Sequence, residues 1–177
     1  MTRRAPVFWA AFALMMAVYL TMALWSLPQL RQMAGGLLAF DLRPFGYDPQ
    51  AARALVAALG PDGREFYQDV QQRLDTAYPA LLALVLVLAF RMLARGWTLW
   101  VFGAISIAAA AADYAENAAV AVMLRAGPDA ISDAMVMAAS RWTTLKSGLA
   151  SVAFIALLAL LVPAVWRKAR PKARRRR

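Results

Sequence analysis

Residues 5–27 read APVFWAAFALMMAVYLTMALWSL, a stretch without a single charged side chain. A helix rises about 1.5 Å per residue and the hydrocarbon core of a bilayer is about 30 Å thick, so about twenty such residues cross it. Arg3 and Arg4 precede the stretch, as in a secretion signal. The apolar part is too long for a usual cleaved signal, however, and no clear small-x-small cleavage site follows it. We therefore predict an uncleaved membrane-spanning helix.

Three further stretches are also mainly apolar and close to the length of a membrane span. We predict spans over residues 76–94, 97–124 and 143–166, which together with the first stretch make an all-α integral membrane bundle of four transmembrane helices. Hydrophobic residues make up 62% of the chain and charged residues only 17%, which is far from the balance of a soluble protein. We expect residues 1–166 to form one membrane domain.

Charge divides the predicted bundle into two sides. The N-terminus, the turn at residues 91–95 and the C-terminal tail share one side, which carries many basic residues and no Asp or Glu. Residues 28–75, on the other side, mix five basic with six acidic residues. The positive-inside rule then places both termini in the cytoplasm, and a bacterial inner membrane is the natural setting. The six tryptophans fall near span ends, as an interfacial aromatic belt requires: Trp9, Trp25, Trp97, Trp100, Trp142 and Trp166.

The tail over residues 167–177 is polybasic. Eight of its eleven residues are Lys or Arg, directly after an apolar run. Such a segment is attracted to the anionic cytoplasmic leaflet, so the net charge of +10 favours lipid rather than nucleic acid as the partner. A tail that only sets topology is the alternative. The residues expected to bind lipid headgroups are Arg167, Lys168, Arg170 and Lys172.

Residues 28–75 form the one substantial segment outside the predicted spans, and they have helical character. Asp48 and Pro49 are residue types of a helix N-cap and first turn, and Gly60 of a helix end. A second helix is predicted from about Asp62 to Ala94, kinked at Pro79. These helices either cap the outer mouth of the bundle or lie on the outer leaflet. The second helix carries an apolar stripe, namely Phe66, Val70, Leu74 and Tyr78.

The third span contains polar residues that are costly in a membrane. Asp113, Glu116 and Asn117 lie on one helical face because they are three and four residues apart. Counted from Trp97, this face lies in the outer half of the membrane. Ionisable groups at such depth cost a few kcal/mol and mark functional sites by default. Asp113 and Glu116 are therefore candidate catalytic acids or bases, and Asn117 is a supporting polar residue.

Basic partners for these carboxylates occur at the start of the fourth span. Arg141 shares a face with Thr144 and other small or polar residues, a stripe suited to helix packing, so we favour Arg141 as the partner. Lys146 lies nearly opposite that stripe, where it would reach the outer headgroups instead. Asp75 and Tyr78, at the outer end of the second span, complete the supporting polar cluster.

The chain contains no Cys and no His. Disulfides, thiol redox cycling, Cys/His zinc sites, His-ligated haem and histidine general bases are therefore excluded, and we predict neither a metal nor a cofactor. Any acid–base chemistry falls to Asp, Glu, Lys or Tyr.

Three functions fit these observations. The first is a membrane enzyme that acts on a lipid or isoprenoid by carboxylate acid–base chemistry. The second is a non-catalytic membrane subunit or assembly factor, in which the polar cluster only joins the helices. The third, a proton- or cation-coupled carrier, ranks lower because no polar path continues past Ser106 to the cytoplasm. Membrane lipids are the expected partners, and a second copy of the chain or another membrane protein is left open.

Overall fold

The structure, a computed structural model, describes residues 4–169 of the 177, with side chains for residues 5–166. This part of the chain is all-helical and contains no strand. The tail residues expected to bind lipid lie outside the described side chains. In chain order the elements are α1 (Arg4–Thr21), a π turn (Met22–Ser26), α2 (Leu27–Met33), a 3-10 turn (Phe40–Leu42), α3 (Pro49–Phe66), a second π turn (Tyr67–Gln71), α4 (Gln72–Leu93), α5 (Trp97–Ala126) and α6 (Asp133–Ala169).

Four helical runs are long and apolar enough to cross a membrane: Ala5–Met33, Pro49–Leu93, Trp97–Ala126 and Asp133–Trp166. In the first and last of these runs, only 11% of the most apolar 18-residue stretch is buried inside the protein. Most apolar side chains of these two stretches therefore face outward. A surface of this kind is stable against lipid and unfavourable against water. The prediction of an all-helical, multi-pass architecture with four span-length helices is confirmed.

Successive spanning helices run in opposite directions, which gives the bundle two unlike ends. At one of them Ala11 of α1 packs with Val85 of α4. Phe90 of α4 stacks on Phe102 of α5, with ring centroids 5.5 Å apart. We call this the terminal end, because the first residues of α1, the turn at residues 94–96 and the last turns of α6 lie there.

The opposite end, which we call the capped end, is closed by α3. Asp48 caps this helix by accepting a 2.7 Å hydrogen bond from the backbone N–H of Ala51, and Pro49 is its first residue, as predicted. One face of α3 is buried against α5, α6 and the loop between them, so this segment caps the bundle instead of lying apart from it. The residues that make this contact are Leu55, Val56 and Leu59 on one side and Val120, Met123, Leu124, Ile131 and Val136 on the other.

Gly60 breaks the helical run, close to the predicted end of the first helix. Its φ of 61° and ψ of −172° lie outside the helical region, where a residue without Cβ avoids strain. The helix resumes at Pro61, one residue before the predicted start, and runs through the second π turn and Pro79 to Leu93.

The apolar stripe predicted for this helical run is not its buried face. Phe66, Val70, Leu74 and Tyr78 are only half-buried, and the fully buried stripe lies one residue later along the chain. In a bilayer apolar side chains gain nothing by turning inward, whereas polar groups need partners inside the protein. The buried stripe consists of Tyr67, Gln71, Asp75 and Pro79.

The two π turns lie side by side and are joined by a buried hydrogen bond. The Ser26 hydroxyl donates to Oε1 of Gln71 over 2.7 Å, and both residues are fully buried. The first helical run does not end at Leu27 as predicted. It continues through Pro28 to Met33, because the π turn before Pro28 accommodates a residue that lacks a backbone N–H.

Candidate functional site

Lys146 of α6 lies at the centre of a cluster of carboxylates in the capped half of the bundle. Its Nζ is 2.9 Å from Oδ1 of Asp113 and 3.6 Å from Oδ1 of Asp41, and it also forms an ion pair with Glu116. Only 13% of the Lys146 side chain is exposed. Three carboxylates from α5 and the 3-10 turn therefore share one ammonium group. We call these four residues the Lys146 cluster.

Glu116 is the deepest member of the Lys146 cluster, with no exposed surface. Its Oε1 accepts a hydrogen bond from the Thr143 hydroxyl, one turn before Lys146 on α6. The carbonyl of Ala139 in the same helix also lies within hydrogen-bond distance of this hydroxyl, at 3.2 Å, so the single hydroxyl hydrogen is shared between the two acceptors. Both carboxylate oxygens of Glu116 thus face groups on α6, so this side chain joins two helices and is out of reach of any ligand.

Asp41 belongs to the cluster although it lies in a loop with no regular sequence pattern. Its Oδ2 accepts a 2.8 Å hydrogen bond from the Tyr67 hydroxyl, which in turn accepts one from the backbone N–H of Phe40. The rings of Phe40 and Tyr67 are both fully buried. This contact ties the 3-10 turn to the second π turn and sets the position of the Asp41 carboxylate.

Tyr47 lies in the same loop and is buried between the cap and the cluster. Its backbone N–H donates a 2.9 Å hydrogen bond to the Ser140 hydroxyl of α6, and its ring packs on Phe40 with centroids 4.6 Å apart. Burial raises the pKa of the Tyr47 phenol, and the negative charges of Glu116 and Asp41 add to this effect. The phenol therefore stays neutral at physiological pH.

Asp75 of α4 differs from the carboxylates of the Lys146 cluster because it forms no ion pair with any of the described residues. The residue is only 4% exposed, and its Oδ2 has no hydrogen-bond partner in the described part of the chain. A buried carboxyl oxygen without a partner is unfavourable and requires an explanation.

Pro79 explains why Asn117 faces α4. Proline has no N–H, so the carbonyl of Asp75, one turn earlier, lacks its helical donor. The Asn117 side-chain amide donates to this carbonyl over 3.4 Å, and the Tyr114 hydroxyl donates to the neighbouring carbonyl of Thr76 over 2.8 Å. The predicted polar residue Asn117 thus has a structural partner.

The preference for Arg141 as the basic partner is wrong. Arg141 and Thr144 are exposed, and no ion pair of Arg141 occurs among the described residues. The face of α6 that packs into the bundle is set by Val136, Thr143 and Ala153, and Lys146 belongs to this face. The small and polar stripe predicted to pack against other helices is divided: Thr144, Gly148 and Ser151 are exposed, whereas Ser147 lines the cavity described next.

A cavity of about 270 Å³ lies beside the Lys146 cluster, and we call it the polar cavity. It is bounded by α1, α4, α5 and α6, and by the loop that carries Asp41. Of the predicted site residues, Asp75, Tyr78, Asp113 and Lys146 line it. The rest of its wall is mainly apolar, with Leu82, Leu86 and Phe154 on the side of the terminal end.

An apolar groove of about 790 Å³ adjoins the polar cavity and extends toward the terminal end. Tyr19 and Tyr78 border both spaces, with ring centroids 6.1 Å apart. Beyond these two hydroxyls, the side chains that line the groove are apolar apart from the indole N–H of Trp9. They come from α1, α4 and α6 and include Phe12, Met15, Val85, Ala89 and Leu157.

The sequence prediction does not include Asp41, Tyr47, Tyr67 or Thr143 among the site residues. Asp41 lies in a non-periodic loop, and Tyr67 lies one position from the apolar stripe that drew attention to Phe66. Thr143 lies three residues before Lys146 and therefore on the same helical face, which is the one sequence signal for its place in the site.

Among the described residues, no group of three or more Asp, Glu, His or Cys side chains is arranged to hold a metal ion. The ammonium of Lys146 occupies the space between the three clustered carboxylates. Comparisons of the chain with protein-family models, with curated protein sequences and with solved structures gave no match.

Proposed function

We propose that the protein is a membrane enzyme that acts on a lipid or isoprenoid by carboxylate acid–base chemistry. One observation carries this proposal: a carboxylate-lined cavity continues directly into an apolar groove between α1, α4 and α6. A substrate with a polar group and a hydrocarbon chain would fit both spaces at once. A chain in the groove would reach the cavity from the bilayer and not from water.

The membrane and the orientation are part of the same proposal. We place the protein in a bacterial inner membrane with both termini and the polybasic tail in the cytoplasm, because the terminal end carries the basic residues without acidic ones. The capped end, with α3 and the Lys146 cluster, would then face the outer side. The polar group of the substrate would react in the outer half of the membrane.

Asp75 is the residue best placed to exchange a proton with the substrate. It lines the polar cavity, and its Oδ2 has no partner among the described residues. Asp113 also lines the cavity, but Lys146 holds its Oδ1 at 2.9 Å. We therefore assign proton transfer to Asp75 and keep Asp113 as a second candidate. Glu116 and Lys146 are positioning residues, because a fully buried carboxylate anchors the lysine.

Lipid mass spectrometry of a deletion strain tests this function. The strain is complemented with the wild type, with Asp75→Asn, with Asp113→Asn, or with the control Asp69→Asn, which alters an exposed aspartate of the same helical run. We expect one lipid species to accumulate in the deletion strain and to persist with Asp75→Asn at equal protein level. The wild type and the control should both remove it. Identical lipid profiles in all strains would contradict an enzymatic role.

A non-catalytic subunit is the second candidate, and one observation favours it. The outward face of α6 carries Thr144, Gly148 and Ser151, small or polar residues on a surface that would meet lipid. Such residues let a partner helix approach closely. A Cβ added at Gly148 meets no atom within 4 Å, so Gly148→Leu enlarges this face without disturbing the bundle. Loss of complementation by Gly148→Leu, with Asp75→Asn fully active, would establish the subunit role.

A proton- or cation-coupled carrier has less support. It needs polar groups from the cavity to the terminal end, and Ser106 is the last such residue on α5 that lines the polar cavity. Its hydroxyl donates to the carbonyl of Phe102 within the same helix, so it is not free to pass an ion onward. The groove beyond it is apolar.

A further inference from the structure

The charges around the polar cavity indicate which kind of head group it accepts. Three carboxyl groups line the cavity, those of Asp41, Asp75 and Asp113, together with one ammonium, that of Lys146. The buried Glu116 adds a fourth carboxyl group behind Lys146. Acidic groups therefore outnumber basic ones around the cavity. A positively charged ligand would reduce this excess of negative charge, and a negatively charged ligand would increase it.

Lys146 is poorly placed to bind an anion in this arrangement. Its Nζ donates a 2.9 Å hydrogen bond to Asp113, forms an ion pair with Glu116 and lies 3.6 Å from Asp41. A phosphate or diphosphate group at the lysine would have to compete with these carboxylates for the ammonium. A displaced carboxylate would then be buried without a partner, which is strongly unfavourable.

Asp75 supplies the second, independent observation. The residue is 4% exposed, it lines the cavity, and its Oδ2 has no partner among the described residues. A carboxylate is an acceptor only, and a donor on a ligand in the cavity would satisfy it. The ammonium of an amine provides N–H donors and positive charge together, which makes the strongest kind of hydrogen bond to a carboxylate.

The aromatic residues at the mouth of the groove fit the same ligand. Tyr19 and Tyr78 lie where the cavity meets the groove. Tyrosine rings attract a nearby cation through the negative charge of their faces, and they pack well on the methylene groups next to an amine. A head group on its way between the groove and Asp75 would pass these rings.

We infer that the polar cavity and the apolar groove together bind an amine-bearing lipid, with its ammonium at Asp75 and its hydrocarbon chain between α1, α4 and α6. This inference rests on the proposed function, because it names the substrate class of the same site. It excludes phosphate- and diphosphate-headed isoprenoids without an amine. Zwitterionic aminophospholipids and single-chain amines both carry an ammonium group, so both classes fit the site.

Binding to full-length protein in detergent, measured by native mass spectrometry, tests the inference. The probes share one chain and differ in the head: dodecylamine, dodecanol and dodecyl phosphate. We expect dodecylamine to bind about tenfold or more tighter than dodecanol, as one charge-assisted hydrogen bond gives, and dodecyl phosphate to bind weakest. In Asp75→Asn the preference for the amine should vanish, and in the exposed control Asp69→Asn it should persist.

Two results would overturn the inference: tightest binding of dodecyl phosphate to the wild type, or an unchanged amine preference in Asp75→Asn. The comparison of the three head groups on the wild-type protein tests the inference even if the Asp75→Asn variant does not fold. A second series with a phosphatidylethanolamine and its phosphatidylglycerol counterpart separates aminophospholipids from simple amines. Amine selectivity combined with an unchanged lipid profile of the deletion strain would remove the enzymatic function and leave the binding site established.

Discussion

The capped half and the terminal half of the bundle are built from the same helices but are held together differently. In the capped half α5 and α6 meet through Asp113, Glu116, Lys146 and Thr143. There α4 meets α5 through the hydrogen bonds that Tyr114 and Asn117 donate to its backbone carbonyls. In the terminal half the same helices meet through apolar contacts around Phe90. In lipid an apolar contact gains only packing, whereas a polar contact also avoids an unsatisfied group. The polar contacts between helices therefore lie in the same half of the bundle as the candidate site.

The largest effect is expected at Lys146. Lys146→Met removes the ammonium and leaves Asp41, Asp113 and Glu116 together without a counter-charge. Loss of one partner of a buried ion pair costs about 3–5 kcal/mol, so the variant should unfold at a much lower temperature. Thermal unfolding in detergent measures this. The triple variant Lys146→Met, Asp113→Asn, Glu116→Gln should recover much of the loss, and a single variant as stable as the wild type would show that the cluster does not join the helices.

A smaller effect is expected in the terminal half. Phe90 is fully buried and stacks on Phe102, so Phe90→Ala leaves a cavity. In lipid the cavity part of the cost remains while the transfer part is small, which gives about 2 kcal/mol. The matched control is Leu84→Ala, which shortens an exposed residue of the same helix. Amine binding should survive Phe90→Ala, and its loss would mean that the two halves are not independent.

The smallest effect sharpens the account of Pro79. Asn117→Ala removes the donor to the carbonyl of Asp75, a hydrogen bond of 3.4 Å, and should cost about 0.5 kcal/mol. In a Pro79→Ala background residue 79 can donate to that carbonyl itself, so the cost should approach zero. A double-mutant cycle on unfolding temperatures measures the difference. Equal costs in both backgrounds would assign Asn117 to another contact.

Much of the architecture was predictable because it depends on patterns along the chain. Mainly apolar stretches of span length predict the four helices, and Asp48, Pro49 and Gly60 predict the limits of the first helix of the cap. The acidic face of α5 was predictable for the same reason, since the spacing of Asp113 and Glu116 is a property of one helix. These signals are local in the sequence, so they do not require knowing which residues far apart in the chain come into contact.

The errors arose where the answer depends on which way a helix is turned. On α6 the small and polar stripe with Arg141 predicts the packed face, but Lys146 is on the packed face and Arg141 points outward. In a soluble protein apolar stripes mark the inside, whereas in lipid both faces of α6 can be apolar. Asp41 could not be found at all, because a loop residue reaches Lys146 only through the fold.

The second π turn has a consequence for changes in the length of the chain. A π turn contains one residue more than an α-helical turn, because its hydrogen bonds close over five residues instead of four. Deletion of one residue between 67 and 71 can therefore be absorbed by conversion to a regular α-helical turn, and Asp75 keeps its direction relative to the cap. The same deletion between residues 80 and 84 falls in regular α-helix, so it would rotate Val85 and Phe90 by about 100° away from their partners in α1 and α5. The loss of one residue is thus tolerable at the π turn and not in the α-helical turns that follow it.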